Sequence, residues 1–134
     1  MKRIIVFLTA LIFAMLLAAC GKNETKPITT QKLSNGITVT LMGEDGKAKN
    51  GENDFTLEFK DAAGQPVDVG KVLITINMPA TSMMEAMNAT AQVSTISTGK
   101  YKAKLDVEMK GDWTMTIAIT GPAGDAKTSF AFNA

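Results

Sequence analysis

The sequence contains no histidine and one cysteine, and these two shortages exclude most catalytic chemistry. Without histidine the chain lacks the commonest general base and the commonest metal ligand, and it cannot form the Ser-His or Cys-His arrangements of nucleophilic catalysis. Because Cys20 has no second cysteine as a partner, no intramolecular disulfide can form. Serine with lysine, or paired carboxylates, form no recognisable constellation. The sequence therefore predicts a protein that is not an enzyme and is stabilised by packing alone.

An excess of charge of one sign is also lacking. The chain has 14 lysines and arginines against 13 aspartates and glutamates. No group of lysines is dense enough to form the basic footprint that binding to phosphates requires. We therefore expect no nucleic-acid partner.

The N-terminus carries the strongest signal in the chain. Lys2 and Arg3 precede an apolar run that ends in Leu17-Ala18-Ala19-Cys20. A basic start, a short apolar segment and small residues at its end are typical of a secretory signal. The ending resembles the lipobox of bacterial lipoproteins, in which the cysteine receives a diacylglyceryl group. The pattern predicts a lipoprotein signal peptide over residues 1–19 and lipidation at Cys20, with an ordinary signal peptide or an uncleaved membrane helix as the alternatives.

Lipidation would make the lipid bilayer the first partner of the mature chain. Gly21, and not an aspartate, follows Cys20. By resemblance to the lipoproteins of bacteria with two membranes, this implies the periplasmic face of the outer membrane; in a host with one membrane the protein would lie on the outer face of the cell membrane. Residues 20–35 are polar and contain Pro27, so we interpret them as an acylated N-terminus and a flexible tether. A flexible linker of that length spans roughly 20 Å. The alternative for its end near Leu33 is an early edge strand.

From residue 36 onward the apolar residues alternate with polar ones, which is the period of a half-buried strand. The clearest case runs from Tyr101 to Met109, where every second residue is apolar and Lys or an acid stands between. Similar short runs lie near residues 37–41, 55–59, 72–78, 91–96, 113–119 and 130–132. Residues 36–134 are therefore predicted to form an all-β, antiparallel, immunoglobulin-like β-sandwich of about seven strands. A small barrel is the alternative.

Methionines are concentrated in one segment. Four of them, Met78, Met83, Met84 and Met87, fall within ten residues, and Pro79 is expected to end the strand before them. Thioether sulfur is soft, so a mobile methionine loop suits Cu(I) or Ag(I). Met83 and Met87 would share a face if the segment is helical. Two other interpretations stay open: the methionines cover the core, or they form an adaptable surface for another protein.

Several short motifs of this chain resemble the YtkA-like domain family of bacterial envelope proteins, which is similar to the periplasmic part of FixH-type proteins. The motifs are Gly64-Gln65-Pro66-Val67, Asn77-Met78-Pro79, Gly99-Lys100-Tyr101-Lys102-Ala103 and Met109-Lys110-Gly111-Asp112-Trp113. The resemblance implies an immunoglobulin-like sandwich outside the membrane, often in a setting of copper handling or cytochrome oxidase maturation.

The chain departs from the family where members often carry histidine after the Met-Pro pair. Ala80, Thr81 and Ser82 stand there instead. Only a thioether site of the Cu(I) type, formed by Met78, Met83, Met84 and Met87, is then left open. The sequence thus favours a lipid-anchored envelope protein that handles Cu(I) or Ag(I), and the alternative is an accessory protein that contacts an envelope complex.

Overall fold

The computed structural model describes residues 24–134, so the predicted signal peptide and Cys20 lie outside the described residues. Nine strands make up the regular structure of this part. They are β1 (Thr25–Lys32), β2 (Thr38–Glu44), β3 (Gly51–Lys60), β4 (Lys71–Met78), β5 (Met87–Thr90), β6 (Gln92–Ser97), β7 (Lys100–Val107), β8 (Asp112–Thr120) and β9 (Ala126–Asn133). Between residues 24 and 134 no helix is long and apolar enough to cross a membrane.

The strands form two antiparallel sheets, which confirms the predicted all-β sandwich. One sheet has the order β1-β2-β3-β7-β6 and the other the order β5-β4-β8-β9. Strands β5 and β6 follow each other directly but belong to different sheets, because the chain crosses from one sheet to the other at Ala91. The amide of Ala91 still donates to the carbonyl of Ile74 in β4. This crossing strand joins the two layers along one side.

The core lies between the sheets and is formed by the inward positions of each strand. In β7, Tyr101, Ala103, Leu105 and Val107 are buried while the lysines and acids between them are exposed. Trp113 and Phe55 are among the largest fully buried side chains. The period-two alternation in the sequence therefore identified the core face correctly, because side chains of a strand point alternately to its two sides.

The predicted number of about seven strands is too low, because the edge strand β1 has no apolar alternation and the edge strand β5, with 4 residues, is too short to show a clear one. The sequence predicts a flexible tether over residues 20–35, but Thr25–Lys32 form β1 and pair with β2 from Thr25↔Glu44 to Lys32↔Thr38. Ile28 packs against the core, whereas most of the strand is exposed. An edge strand whose side chains are mostly exposed to solvent is held mainly by backbone hydrogen bonds and needs few apolar residues. Its sequence therefore resembles that of a flexible linker.

The β2–β3 turn, the β7–β8 turn and the segment Pro79–Ala86 lie at one end of the sandwich, which we call the methionine end. Antiparallel pairing brings the end of β2, the start of β3 and the end of β7 together, since Gly51 pairs with Val107. Asn53, a buried polar residue, holds the β2–β3 turn: its side chain accepts from the amide of Lys49 at 2.9 Å and donates to the carbonyls of Lys49 and Gly51.

Candidate functional site

The methionine segment connects two neighbouring strands of the same sheet. β4 ends at Met78, Pro79 follows, and β5 begins at Met87. Met78 and Met87 are direct partners in the β4–β5 register. Directly opposed residues of an antiparallel pair have Cβ atoms about 5 Å apart, so the two side chains are neighbours. The structure thus brings together two of the four predicted site methionines.

Met78 and Met87 both point toward the core but lie at its margin. The buried residues Val72, Ile74 and Ile76 alternate along β4, and Met78 continues their face. Met78 and Met87 are half-buried and pack against the core. Their backbones are held by Asn77, whose side-chain amide donates to the carbonyl of Met87 at 3.3 Å and to the side chain of Asn88 at 2.7 Å.

Met83 and Met84 lie on the exposed part of the segment. Met83 is 91% exposed and Met84 is 39% exposed. The segment folds as a local turn, with the amide of Thr81 donating to the carbonyl of Met84 at 2.9 Å and the amide of Met83 donating to the Thr81 hydroxyl at 3.3 Å. The segment is not helical, and β5 starts at Met87, so the expected helical face shared by Met83 and Met87 is wrong. The hydrogen bonds of Thr81 close a tight turn in place of a helical one, and pairing with β4 places Met87 in a strand.

The four methionines therefore divide into a half-buried pair and an exposed pair. Convergence of the sulfur atoms of Met83 and Met84 on those of Met78 and Met87 stays a prediction. The exposure of Met83 bears on the interpretation of the segment, because a side chain so open to solvent contributes nothing to covering the core. Met78 and Met87, in contrast, do contact the core.

Sequence reasoning did not include Met109 among the site residues, although it lies at the same end. Met109 is half-buried and lies in the β7–β8 turn, and its carbonyl accepts from the indole N–H of Trp113 at 3.0 Å. A Cβ added at Gly111 would come within 2.8 Å of Cε of Met78, so this turn lies directly against the Met78 side chain. No local pattern signals this proximity, because it arises from the pairing of β4 with β8.

Oxygen and nitrogen ligands offer no comparable centre in the described part of the chain. Among residues 24–134, no group of three or more histidines, cysteines, aspartates and glutamates is placed to hold a metal ion. The donors that the fold gathers at the methionine end are neutral thioethers. Such donors suit a soft, monovalent ion rather than a hard, divalent one.

Solved structures of two bacterial proteins, FetP and P19, are similar to this chain. FetP of uropathogenic Escherichia coli strain F11 superposes with a TM-score of 0.51 at 11% identity, covering 84% of this chain and 97% of that chain. A copper-bound variant of the same FetP has a TM-score of 0.51 at 12% identity, covering 82% and 97%. Copper-reconstituted P19 of Campylobacter jejuni has a TM-score of 0.49 at 10% identity, covering 82% and 96%. At these identities the likeness to FetP shows the fold alone.

No curated protein matches the chain in sequence. The family model described as YtkA-like matches residues 31–118. This range runs from the end of β1 to β8 and includes the methionine segment and the β7–β8 turn. Because the match covers most of the chain, and because the sandwich is the fold that the sequence motifs implied, the chain belongs to the YtkA-like family.

Proposed function

We propose that this protein is a lipid-anchored binding protein of the bacterial envelope that binds Cu(I) or Ag(I) through Met78, Met83, Met84 and Met87. The observation that carries the proposal is the cross-strand pair of Met78 and Met87, which is joined by a short turn bearing two exposed methionines. The pair supplies two fixed thioethers at the margin of the core. The turn supplies further thioethers that can close over a bound ion.

The chemistry of these donors selects the ion. Thioethers are uncharged and polarisable, so they bind soft ions such as Cu(I) and Ag(I) and give little stabilisation to hard divalent ions. The only charged residue of the segment 79–86 is Glu85. A site of three or four thioethers would therefore keep the single positive charge of the ion without a buried counter-charge.

The similar solved structures support a copper role. The structure of a copper-bound variant of FetP has been solved, and FetP was also expressed recombinantly in the periplasm of Escherichia coli. Membership of the YtkA-like family supports a place for this chain in the same compartment. The low identity means that the ligands of this chain must be argued from its own methionines.

The metal proposal is tested by anaerobic titration of the mature chain with Cu(I) against a chromophoric chelator. M78L/M87L removes the thioether pair while keeping apolar bulk of similar volume, which costs little stability. M42L is the matched control, because Met42 is also half-buried but lies on β2 in the other sheet. We expect the double variant to bind at least about tenfold more weakly, about 1.4 kcal/mol, and M42L to bind as the wild type does. Absence of Cu(I) uptake by the wild type would reject the proposal.

The anchoring part of the proposal concerns Cys20, which is tested separately. Two or three acyl chains contribute about 0.8 kcal/mol per buried CH₂, which is sufficient for stable attachment to a bilayer. The wild type should incorporate labelled palmitate and fractionate with membranes, and C20S should do neither. A soluble, unlabelled wild-type product would contradict the anchor while leaving the metal site open to its own test.

A second function, contact with an envelope protein complex, is favoured by two exposed apolar side chains. Ile96 on the edge strand β6 is 54% exposed and Leu73 on the outer face of β4 is 46% exposed. An edge strand offers unpaired backbone groups to a partner. Cross-linking in native membranes should recover a reproducible partner with the wild type, and the I96K variant should lose it. Recovery of no partner would count against this function.

A further inference from the structure

The N-terminal end of the described chain and the methionine segment lie at the same end of the sandwich. The amide of Asp45, in the β2–β3 turn, donates to the carbonyl of Glu24 at 3.2 Å, which fixes the entry of the chain at that turn. The side chain of Asn50 donates to the carbonyl of Val107 at 2.7 Å, which joins the β2–β3 turn to the β7–β8 turn.

The same series of contacts continues to the methionines. Gly111 of the β7–β8 turn lies against Cε of Met78, and the amide of Gly111 donates to the carbonyl of Ala134. The chain therefore enters at the methionine end, and the segment Pro79–Ala86 projects from that end. The opposite end carries the β3–β4 connection and the β8–β9 turn.

The chain between Cys20 and β1 is short. Residues 20 to 25 span at most about 18 Å even when fully extended, because a residue adds at most about 3.6 Å. The sequence predicts a longer tether, over residues 20–35, but Thr25–Lys32 belong to strand β1 and so cannot serve as a flexible linker. A lipid anchor at Cys20 would therefore hold the methionine end, and not the opposite end, against the bilayer. This step rests on the proposed anchoring but not on metal binding.

The exposed tip of the methionine segment has the chemistry of a lipid contact. Met83 is 91% exposed, Met84 is adjacent to it, and Pro79, Ala80 and Ala86 add small apolar surface with Glu85 as the single charge. Lysines at this end are balanced by acids: Lys49 pairs with Glu44 at 2.5 Å and Lys26 with Glu24 at 3.6 Å. Lys47 and Lys110, which form no ion pair within the described residues, are offset by acids close to them in sequence, Asp45, Glu108 and Asp112. Attraction to anionic headgroups is therefore weak, and apolar insertion is left as the source of binding.

We propose that the methionine end faces the bilayer and that, while no ion is bound, Met83 and Met84 enter the boundary between headgroups and acyl chains. The partner of this surface is the lipid itself. Two thioether side chains bury too little apolar area to bind a membrane from solution. Attachment at Cys20 makes this contact possible, because the anchor holds Met83 and Met84 close to the bilayer and raises their effective concentration there to the millimolar range.

The test uses the full-length lipoprotein purified from host membranes, with its acylation measured by mass in the same sample. S82C and A63C each introduce one free thiol for an environment-sensitive fluorophore, since the native cysteine is blocked by its lipid. Ser82 and Ala63 are both exposed, but Ser82 lies in the methionine segment and Ala63 in the turn at the opposite end. The proteins are reconstituted into phosphatidylcholine vesicles containing a nitroxide-labelled lipid.

We expect several-fold stronger quenching at position 82 than at position 63, unchanged by high salt or by added phosphatidylglycerol. Adding M83S/M84S to S82C should reduce the quenching toward the value at position 63. Equal quenching at the two positions, or none at either, would overturn this inference and leave metal binding and anchoring untouched. A product without acyl chains would overturn both the orientation and the anchoring.

Discussion

At the residue scale, Tyr101 shows how one side chain ties together the end of the sandwich that lies away from the methionines. Its ring packs edge to face on Phe59, with centroids 5.5 Å apart and planes at 88°. Its hydroxyl donates to the carbonyl of Gly70 at 3.0 Å. Burial raises the pKa of the Tyr101 phenol above its ordinary value of 10.0, and the nearby Asp68 carboxylate raises the pKa further. The folded protein therefore favours the neutral phenol.

This raised pKa predicts a loss of stability at alkaline pH. The unfolded chain releases the phenolic proton at a lower pH than the folded chain, so the contribution of Tyr101 is fully present below pH 10.0 and is lost as pH rises through the folded pKa. Y101F should lower the free energy of unfolding by about 1 kcal/mol at neutral pH, because a buried hydrogen bond is lost. The variant should then show a smaller alkaline decline. Denaturant unfolding across the alkaline range measures both, and equal declines would contradict the assignment.

Gly64 and Gly99 have similar backbone conformations but different surroundings, so alanine variants distinguish the cost of the conformation from the cost of a steric clash. Gly99 and Gly64 have similar positive φ angles, +70° and +78°. A Cβ at Gly99 would lie 2.8–2.9 Å from backbone atoms of Phe59 and Val67, whereas a Cβ at Gly64 meets nothing within 4 Å. G64A should cost about 1–2 kcal/mol from the left-handed conformation alone. G99A should cost about 1–3 kcal/mol more, because the backbone around it must move. Equal costs in denaturant unfolding would show that the contact does not matter.

At the scale of elements, edge strand β1 has the weakest sequence signal and a definite structural role. Its backbone pairs with β2 along most of its length. Ile28 fills the space over Gly43, since a Cβ at Gly43 would lie 2.7 Å from Cδ1 of Ile28 and 3.3 Å from the ring of Phe55. β1 thereby covers a gap that the lack of a side chain leaves in β2.

The fold of the inner strands could be predicted from sequence, whereas the edges and the methionine segment could not. One face of β7 and β8 is buried and the other faces solvent, so apolar and polar residues alternate along them. The face that packs in the core can therefore be predicted from the sequence. β1 is exposed at most positions and β5 is very short, and neither contains a fully buried residue, so their sequences do not reveal which strands they pair with. For the same reason, the methionine cluster could be recognised from sequence, but the pairing of Met78 with Met87 and the proximity of the β7–β8 turn could not.

The role of β1 predicts that an isoleucine in the sequence-predicted tether contributes to stability. I28A should lower the free energy of unfolding by about 1–2 kcal/mol, because it removes a partly buried side chain and leaves a gap over Gly43. I96A is the matched control, since Ile96 is 54% exposed on β6, and it should change stability by no more than about 0.5 kcal/mol. Equal effects in chemical denaturation would mean that residues 25–32 behave as a tether in solution.

At the scale of the whole molecule, the two sheets are coupled through the core and through the crossing strand. β5 belongs to one sheet and β6 to the other, with the buried Ala91 between them. Trp113 and Phe55 contribute to a core shared by both layers. A small domain with a single core is expected to unfold in one cooperative step. A ligand at the methionine end should therefore stabilise the entire sandwich and not just one turn.

Thermal unfolding with silver tests this coupling. We assume that the ion binds only the folded state. When the free ion concentration is about 100 times the dissociation constant, binding raises the free energy of unfolding by about 2.7 kcal/mol. For a domain of this size, that raises Tm by roughly 10 °C. M78L/M87L should lose most of the shift, because the fixed thioether pair is gone. M83L/M84L should lose part of it, because the exposed turn supplies the remaining ligands, and M42L should keep it in full. A Tm shift of the same size in all four proteins would mean that silver binds elsewhere. A Tm shift seen by tryptophan fluorescence but not by far-ultraviolet circular dichroism would mean that the methionine end unfolds independently of the sheets.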